Sequence, residues 1–322
     1  MRVGFDVSPR EQTRAGTARV VDGLLGALAG RRDLDLVPLA FGGGGRLASA
    51  LRDALWYPVG IARAARRLDV LHCTTFRGPV RSQVPVVVTV HDLALLRRPE
   101  AFRPWHRTTG RLALRSAVRA ADAVVTVSEF TRSELVELLH VPAERVRVVP
   151  NGVDAVFSPD GPAADGDYVL AVGTLEPRKN LARVVEAARR AGVELRVVGA
   201  RGWGGVEVPG WVGRVSDEEL ARLYRGARCV VYASLYEGFG LPVLEAMASG
   251  TPVVTSAGGA TEEVAGGAAV LVDPLDVEAI ALGLAEAERR RDELVPLGLE
   301  QARSFRWSAA ADAIETLWRE LA

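Results

Sequence analysis

Short runs of apolar, largely β-branched residues alternate with segments of helical periodicity along the whole of the 322-residue chain. The first run spans residues 3–7, and residues 84–90 are almost continuously β-branched, as expected of a strand buried on both faces. Strands that alternate with helices in this way indicate parallel sheets covered by helices. The pattern therefore predicts an α/β fold built from doubly wound sheets.

A cluster of turn-forming residues divides the alternating pattern in two. Residues 150–152 read Pro-Asn-Gly, and residues 158–167 are rich in Pro, Gly, Ala and Asp. We therefore predict one Rossmann-like domain over residues 1–155 and a second over residues 156–305. Two such domains are expected to face each other across a central cleft, with ligands at the carboxyl ends of the strands.

Local signals predict where several loops and helices lie. Residues 8–16 are predicted to form a loop, followed by a helix at about residues 17–29. Ser128 or Thr131 can cap the helix that follows the strand ending near residue 127. The tail from residue 279 onward has helical periodicity.

Several nucleotide-binding and hydrolase motifs are absent from the sequence. Residues 42–45 are four glycines, but Leu47 occupies the position that a dinucleotide motif gives to its third glycine, so a flexible loop is predicted. Lys179 lies between Arg178 and Asn180, which is not a Walker A motif, and no G-x-S-x-G segment occurs. The sequence also has no nucleic-acid-binding module. These absences argue against dehydrogenases, P-loop NTPases, α/β-hydrolases and nucleic-acid partners.

The zero net charge hides an asymmetry between the two halves. Residues 1–150 carry 23 arginines against 14 acidic residues, a balance of +9, and residues 151–322 have a balance of −9. A basic first half favours an anionic partner or surface on that side, and attraction between the halves is the alternative. The chain has 39 arginines and a single lysine, Lys179, which suggests that this position needs a compact point charge.

Targeting and redox signals favour a cytoplasmic protein. No signal peptide precedes the first predicted strand, and the longest apolar run is too short to cross a bilayer. Cys73 and Cys229 lie far apart in apolar runs and are expected to be buried free thiols. No Cys/His cluster has the spacing of metal ligands, so no metal site is predicted.

A candidate phosphate site lies at the start of the second half. Gly173 and Thr174 directly follow the predicted strand 168–172 and so lie at the carboxyl edge of the second sheet. Arg178 and Lys179 come next, near the positive N-terminus of a helix. Arginine can bind two oxygens at once and lysine acts as a point charge, so the pair suits a diphosphate. A solvated surface pair is the alternative.

A second candidate element follows a later strand. Gly240 permits close backbone approach, and the backbone N–H groups of Phe239, Gly240 and Leu241 are expected to point at the ligand as a helix begins. Glu237 in the loop and Glu245 in the helix are expected to face the cleft and accept hydrogen bonds from a sugar and a ribose. A partner of the helix dipole is the alternative for Glu245.

These motifs together resemble one enzyme family. Residues 173–180, the pair Glu237 and Glu245 with seven residues between them, and residues 247–254 are similar to the retaining GT-B glycosyltransferases of family 4. Three further segments also resemble sequence motifs that are typical of that family, at residues 127–131, 150–154 and 305–307.

The resemblance implies roles for the residues of the second half. Arg178 and Lys179 would bind the donor diphosphate and stabilise the leaving group. Glu245 would hold the ribose hydroxyls, and Glu237 would contact the donor sugar near its 3- and 4-hydroxyls. The nucleotide base would meet the backbone at two further positions, Val212 and Arg214.

The resemblance also implies roles in the first half. Gly16 and Thr17, in the first strand–helix loop, would lie near the donor phosphates and the acceptor, although relatives often show a paired glycine or Gly-Ile there. His91 and Asp92 would face the donor sugar, and a structural histidine is the alternative. The terminal helix, residues 306–322, is expected to cross back to the N-terminal domain.

The implied reaction moves a hexosyl group from a nucleotide-diphosphate sugar, with retention, to a glycan, lipid-linked or small-molecule acceptor. Asp33 and Asp35 open a predicted strand and form no metal loop, so we expect transfer without a metal or any cofactor. GDP-mannose is the first donor candidate, before UDP-glucose and UDP-N-acetylglucosamine. Two alternative functions are a sugar-nucleotide epimerase of the same fold and a non-catalytic nucleotide-binding subunit.

The acceptor is expected on the basic N-terminal domain. Residues 48–68, with Trp56, Tyr57, Arg63, Arg66 and Arg67, suit an amphipathic segment on the inner face of the membrane. Packing of this segment against its own domain is the alternative.

Overall fold

A computed structural model describes residues 1–12, 16–42, 45–102, 104–202 and 207–322. The chain forms two compact units. The first unit comprises Met1–Gly152 and Arg306–Ala322, and the second comprises Val153–Phe305. The first division lies three residues before the one predicted after residue 155, and the second lies after residue 305, where it is predicted.

The first unit is built on a six-stranded parallel sheet with strand order β2-β1-β3-β4-β5-β6. Every residue of β4 is buried, as its β-branched sequence predicts for a strand covered on both faces. The strands are β1 (Arg2–Asp6), β2 (Asp35–Leu39), β3 (Val70–Cys73), β4 (Val86–Val90), β5 (Ala123–Thr126) and β6 (Val146–Val148).

Helices connect and cover these strands. In chain order they are α1 (Ser8–Gln12), α2 (Gly16–Leu28), α3 (Arg46–Leu51), a π-helical segment (Arg52–Gly60), α4 (Ile61–Ala65), α5 (Ala94–Arg97), α6 (Pro104–Ala120) and α7 (Glu129–Leu139). Short 3-10 turns occur at Pro99–Ala101 and Ala143–Arg145. Ser128 caps α7, because its side chain accepts a hydrogen bond from the backbone N–H of Thr131 at 3.1 Å.

The prediction of a loop over residues 8–16 is wrong for its first part. The Oδ1 atom of Asp6 accepts the backbone N–H of Ser8 at 3.0 Å, and this turn starts α1. Residues 13–15 lie outside the described residues, as do Gly43 and Gly44 of the glycine run. No helix was predicted at α6, and among its described side chains the buried apolar ones are Leu114, Ala117 and Val118, all in the second half.

The second unit repeats the architecture with strand order β12-β11-β10-β7-β8-β9, again all parallel. Its strands are β7 (Tyr168–Val172), β8 (Glu194–Val198), β9 (Trp211–Gly213), β10 (Val230–Tyr232), β11 (Val253–Ser256) and β12 (Val270–Val272). Its helices are α8 (Leu181–Ala191), α9 (Asp217–Gly226), α10 (Leu241–Ala248), α11 (Ala260–Ala265), α12 (Val277–Arg289) and α13 (Arg291–Arg303), with a 3-10 turn at Pro177–Lys179.

The final helix, α14 (Trp307–Leu321), belongs to the first unit. Trp318 is fully buried, its indole N–H donates to Nδ1 of His72 at 3.2 Å, and its ring packs edge-on against Phe5. Gly23 on α2 allows the start of α14 to approach, because a Cβ at that position would lie 2.3 Å from the ring of Trp307. The helical tail predicted from residue 279 is thus three helices, and the last of them packs in the first unit.

Candidate functional site

Two loops of the second unit leave neighbouring strands at the same edge of the sheet. β7 and β10 are paired in parallel, so the loops that follow them both start at the carboxyl edge. The first loop carries Arg178 and Lys179, and the second carries Glu237. The backbone N–H of Leu235 donates to the carbonyl of Arg178 at 2.9 Å and ties the two loops together.

The cation-bearing loop is held in a defined shape. Gly173 has a φ of 155°, and a Cβ there would lie 3.3 Å from the side chain of Lys179. A single 3-10 turn then brings Arg178 and Lys179 to the start of α8. Asn180 ends the turn in a left-handed conformation, and its buried amide donates to the carbonyls of Ala233 and Pro274 at 2.9 and 2.6 Å. The cations therefore sit on a rigid support.

The guanidinium of Arg178 is held by three acceptors. It donates to Oε2 of Glu237 at 2.8 Å, to the carbonyl of Tyr236 at 3.1 Å and to Oε1 of Glu176 at 2.7 Å. The Arg178 side chain is only 16% exposed. These charge-assisted bonds fix the plane of the fork.

The ammonium of Lys179 has two partners at 2.6 Å, Oε1 of Glu237 and the hydroxyl of Tyr232. Burial lowers the pKa of Lys179, and the neighbouring Glu237 opposes that effect. Burial alone would raise the pKa of Glu237, but Arg178 and Lys179 outweigh it and hold that pKa at about 2. Glu237 is therefore ionised and bridges both cations.

The loop after Glu237 turns sharply into α10. Gly240 has a φ of 117°, and a Cβ there would lie 3.0 Å from Thr261. The ring of Phe239 packs edge-on against Phe305 at 5.7 Å and is buried. Leu241 is the first residue of α10, so the backbone predicted to meet a ligand is at the start of a helix.

Glu245 has different surroundings from Glu237. It lies on the buried side of α10 and is only 3% exposed. Its Oε2 accepts the hydroxyl of Tyr224, on α9, at 2.9 Å. The buried side of the short helix α10 carries Glu245 toward the interior, and the expectation that both carboxylates accept hydrogen bonds from a ligand stays a prediction.

Val212 and Arg214 lie at the outer edge of the second sheet. Val212 is in the edge strand β9 and is 50% exposed, and Arg214 directly follows that strand and is exposed. The indole N–H of Trp211 donates to the carbonyl of Gly199 at 2.9 Å, which fixes this edge beside β8. Thr174 is half-buried in the loop after β7.

The candidates of the first unit lie at the carboxyl ends of its own strands. His91 and Asp92 follow β4, and Nε2 of His91 lies 2.9 Å from the carbonyl of Thr74. Burial lowers the pKa of His91. Asp92 accepts the backbone N–H of Ala94 at 3.0 Å and so starts α5.

Gly16 and Thr17 are the first residues of α2. The loop position predicted for Gly16 is therefore wrong, whereas the helix predicted from about residue 17 is present. Arg14 and Ala15, which precede them, lie outside the described residues. The apolar stripe of α2, which includes Val20, Val21 and Leu24, is buried.

Sequence reasoning missed two tyrosines that hold the site. Tyr232 ends β10 and contacts Lys179, and Tyr224 lies on α9 and contacts Glu245. A signal was present for Tyr232, because it is a polar side chain at the carboxyl end of a buried strand. Tyr224 gave no comparable signal, because an aromatic residue on an amphipathic helix is normally a core residue.

Cys73 and Cys229 are both free and buried, as predicted. Within the described ranges, no group of three or more His, Cys, Asp or Glu side chains is arranged to hold a metal ion. No helix in the same ranges is long and apolar enough to span a membrane.

Comparison with known families gives two matches that together cover most of the chain. The model described as Glycosyl transferases group 1 matches residues 156–298. The model described as Glycosyltransferase Family 4 matches residues 15–157.

Individual relatives agree with these matches. O-antigen chain mannosyltransferase B of Escherichia coli is 34% identical over 271 residues, which cover 74% of this chain and 71% of the relative. D-inositol 3-phosphate glycosyltransferase of Acidothermus cellulolyticus is 30% identical over 98% of this chain and 79% of its own. MMP alpha-(1->4)-mannosyltransferase of Mycolicibacterium hassiacum is 31% identical over 77% of this chain and 71% of its own.

Solved structures show the same fold. Sucrose-phosphate synthase from Thermosynechococcus elongatus superposes with a TM-score of 0.78 at 20% identity, covering 100% of this chain and 99% of that one. Anabaena HepE in complex with UDP and glucose gives a TM-score of 0.74 at 17% identity and covers 100% of both chains.

Proposed function

Because the chain belongs to the group 1, family 4 glycosyltransferases of the GT-B fold, we propose that it transfers a mannosyl group from GDP-mannose to a glycan, lipid-linked or small-molecule acceptor. The observation that carries the proposal is the buried cluster of Arg178, Lys179 and Glu237 at the carboxyl edge of the second sheet. Two fixed cations beside a carboxylate suit a ligand that joins a diphosphate to a hydroxyl-rich sugar.

The cluster would act mainly on the leaving group. When the bond between sugar and phosphate breaks, negative charge develops on the diphosphate, and cations fixed in advance stabilise that charge without reorganising. Arg178 and Lys179 are fixed by Glu176, Glu237 and Tyr232. We assign the sugar hydroxyls to Glu237, and no residue is assigned as a covalent nucleophile. Transfer with retention and without a metal or cofactor completes the proposal.

Glu245 remains the proposed partner of the ribose hydroxyls. Its Oε2 accepts the hydroxyl of Tyr224, so ribose binding requires the carboxylate to change partners through a rotamer change or a small shift of α10. The proposed base contacts, at Val212 and Arg214, are exposed and open to a ligand. Gly173, Thr174 and the backbone of residues 239–241 complete the proposed donor site.

The choice of a mannosyl donor is supported by the relatives. Two of the similar proteins are named mannosyltransferases, those of Escherichia coli and Mycolicibacterium hassiacum. UDP-glucose is the second candidate, since a HepE structure contains that donor. UDP-N-acetylglucosamine is the third.

We place the acceptor on the first unit, near His91, Asp92, Gly16 and Thr17. The net charge of +9 over residues 1–150 favours an acceptor that carries phosphate, as a lipid-linked sugar does.

The helical segment 46–65 supports contact of this unit with an anionic membrane. One side packs inward through Tyr57, Ile61 and Ala65, so the segment does pack against its own unit. The other side exposes an apolar residue at every fourth position: Leu47, Leu51, Leu55 and Val59. Arg63, Arg66 and Arg67, all exposed, follow this stripe. Apolar residues flanked by arginines suit a bilayer surface with anionic head groups.

A panel of nucleotide sugars tests the proposal. GDP-mannose, UDP-glucose and UDP-N-acetylglucosamine are each added to the purified protein, and thermal stabilisation and slow release of free nucleotide are measured. We expect GDP-mannose to stabilise the protein and to be hydrolysed slowly. Stabilisation without turnover of any donor would favour a non-catalytic subunit, and interconversion of the sugar on the intact donor would favour an epimerase.

A further inference from the structure

The carboxylate of Glu237 accepts hydrogen bonds from the same N–H groups of Arg178 and Lys179 that a diphosphate would use. Its Oε1 lies 2.6 Å from Nζ of Lys179, and its Oε2 lies 2.8 Å from Nη1 of Arg178. The three side chains are only 10–16% exposed, so few other N–H groups of the pair are accessible. A phosphate oxygen that approaches these cations must share them with Glu237 or displace it.

Counted together with Glu176, the cluster of Arg178, Lys179 and Glu237 carries no formal net charge. Glu176 lies 2.7 Å from Arg178 on the side away from Glu237, so two cations are matched by two carboxylates. A diphosphate therefore does not enter a site of charge +2. Like charges a few ångströms apart in a partly buried site repel each other, so an incoming diphosphate and Glu237 compete for the same cations.

We propose, on the basis of the donor site argued above, that Glu237 changes partners when a nucleotide sugar binds. The sugar hydroxyls of the intact donor offer the carboxylate new hydrogen bonds and draw it away from Arg178 and Lys179, which then bind the diphosphate. A free nucleoside diphosphate lacks the transferred sugar and its hydroxyls, and its phosphates compete with Glu237 for both cations. The carboxylate thus favours the donor over the product and promotes product release.

Tyr232 makes this exchange feasible. Its hydroxyl lies 2.6 Å from Nζ of Lys179, and the ammonium also lies 4.9 Å from the centre of its ring. Lys179 therefore keeps a partner and its position when the carboxylate leaves. Arg178 likewise keeps Glu176 and the carbonyl of Tyr236.

Binding of GDP, UDP and inorganic pyrophosphate to the wild type and to Glu237→Gln, measured by isothermal titration calorimetry, tests the exchange. Glutamine has the same shape without the charge, so we expect the nucleoside diphosphate that binds the wild type to bind the variant about tenfold more tightly. Turnover of the nucleotide sugar should fall. Glu293→Gln is the control, because it removes a carboxylate that is 54% exposed on α13 and contacts neither Arg178 nor Lys179, and it should leave the affinity unchanged.

Weaker or unchanged binding by a folded Glu237→Gln protein would overturn the proposal, because it would mean that Glu237 only positions the cations. Glu237→Asp, which keeps the charge but reaches one cation at most, should bind about threefold more tightly than the wild type and replaces the glutamine variant if that fails to fold. Looser binding by the aspartate variant has the same meaning. A wild type that binds none of the three ligands and turns over no donor would instead reject the donor site itself.

Discussion

At the residue scale, the contacts of Lys179 explain why this one position is lysine in a chain that otherwise uses arginine. Nζ of Lys179 lies 2.6 Å from both the Tyr232 hydroxyl and Glu237, and the side chain is only 12% exposed. A guanidinium is planar and wider than an ammonium, so it would need to displace one of these neighbours. Elsewhere the chain uses arginine at all 39 remaining basic positions.

Replacement of Lys179 should therefore depend on shape as well as charge. We expect Lys179→Ala to lower kcat/KM for the donor by about 10²- to 10³-fold, because a fixed charge on the leaving group is lost. Lys179→Arg should lower it by about tenfold or more, since the fork does not fit the same contacts. Steady-state kinetics with the preferred donor give both values.

Arg189→Lys is the control for this series, because Arg189 lies on the same helix, α8, and is 70% exposed. It should leave kcat/KM unchanged. Wild-type kinetics for Lys179→Arg would show that a compact point charge is not required.

At the element scale, the docking of α14 depends on a neutral histidine. His72 on β3 has Nε2 2.8 Å from the hydroxyl of Thr89 and accepts the Trp318 indole N–H on Nδ1. Burial, with a smaller effect from His91, lowers the pKa of His72 to about 3. The unfolded chain would protonate this group at about pH 6.5.

Stability should consequently fall as the pH drops below about 6.5. Between about pH 6.5 and 3 the unfolded chain binds a proton that the folded chain does not, which costs about 1.4 kcal/mol per pH unit for this one group. Urea unfolding at pH 7.5 and pH 5 should show the loss. His72→Gln should be less stable at pH 7.5 but lose less between the two values.

His140→Asn removes an exposed histidine from a left-handed position that asparagine tolerates, and it serves as the control. Its pH dependence should equal that of the wild type. An equal loss of stability in His72→Gln would mean that other groups cause the effect.

At the element scale, the exposed apolar side of the segment 46–65 predicts binding to anionic membranes. Leu51 and Leu55 are 39% and 60% exposed, and replacement of both by glutamate places charge where the bilayer is proposed. In sedimentation with vesicles of phosphatidylglycerol and phosphatidylcholine, we expect about tenfold weaker binding than for the wild type.

Leu282→Glu, at a residue 62% exposed in the second unit, should bind these vesicles like the wild type. Binding of the wild type should also weaken with salt, because the arginine contribution is screened. A wild type that fails to sediment with the anionic vesicles would remove the membrane from the proposed function.

At the scale of the whole molecule, the proposed donor-binding cations and the proposed acceptor-binding surface belong to different units. The second unit, in the acidic half, gathers its buried cations at one sheet edge, and the first unit carries the net positive charge over its own residues. In the proposed function, the donor diphosphate would depend on two placed cations, whereas a phosphate-bearing acceptor or a membrane would respond to the broader field of the first unit.

Since Arg178 and Lys179 would supply the positive charge that a metal ion gives other transferases, excess EDTA should leave the transfer rate within about twofold of its starting value. The rate is measured with the preferred donor before and after dialysis against the chelator. Loss of activity that Mn²⁺ or Mg²⁺ restores would contradict a metal-independent reaction.

The sequence by itself determined the layers of both units and most residues of the cluster. β-branched runs such as residues 86–90 are typical of strands buried between helices, and glycine, proline and charged residues just after such strands indicate the ligand edge. Arg178, Lys179 and Glu237 could be selected in this way, because each lies within a few residues of a strand end.

Only the tertiary structure decided which of these side chains meet. Lys179 and Tyr232 are 53 positions apart, and Tyr224 and Glu245 are 21 apart on different helices, so their contacts depend on how strands and helices pack. The burial of Glu245 and the contact of Trp318 with His72, 246 positions away, arise in the same manner. Local sequence encodes backbone preference and hydrophobic period, whereas these contacts depend on long-range packing that no short segment specifies.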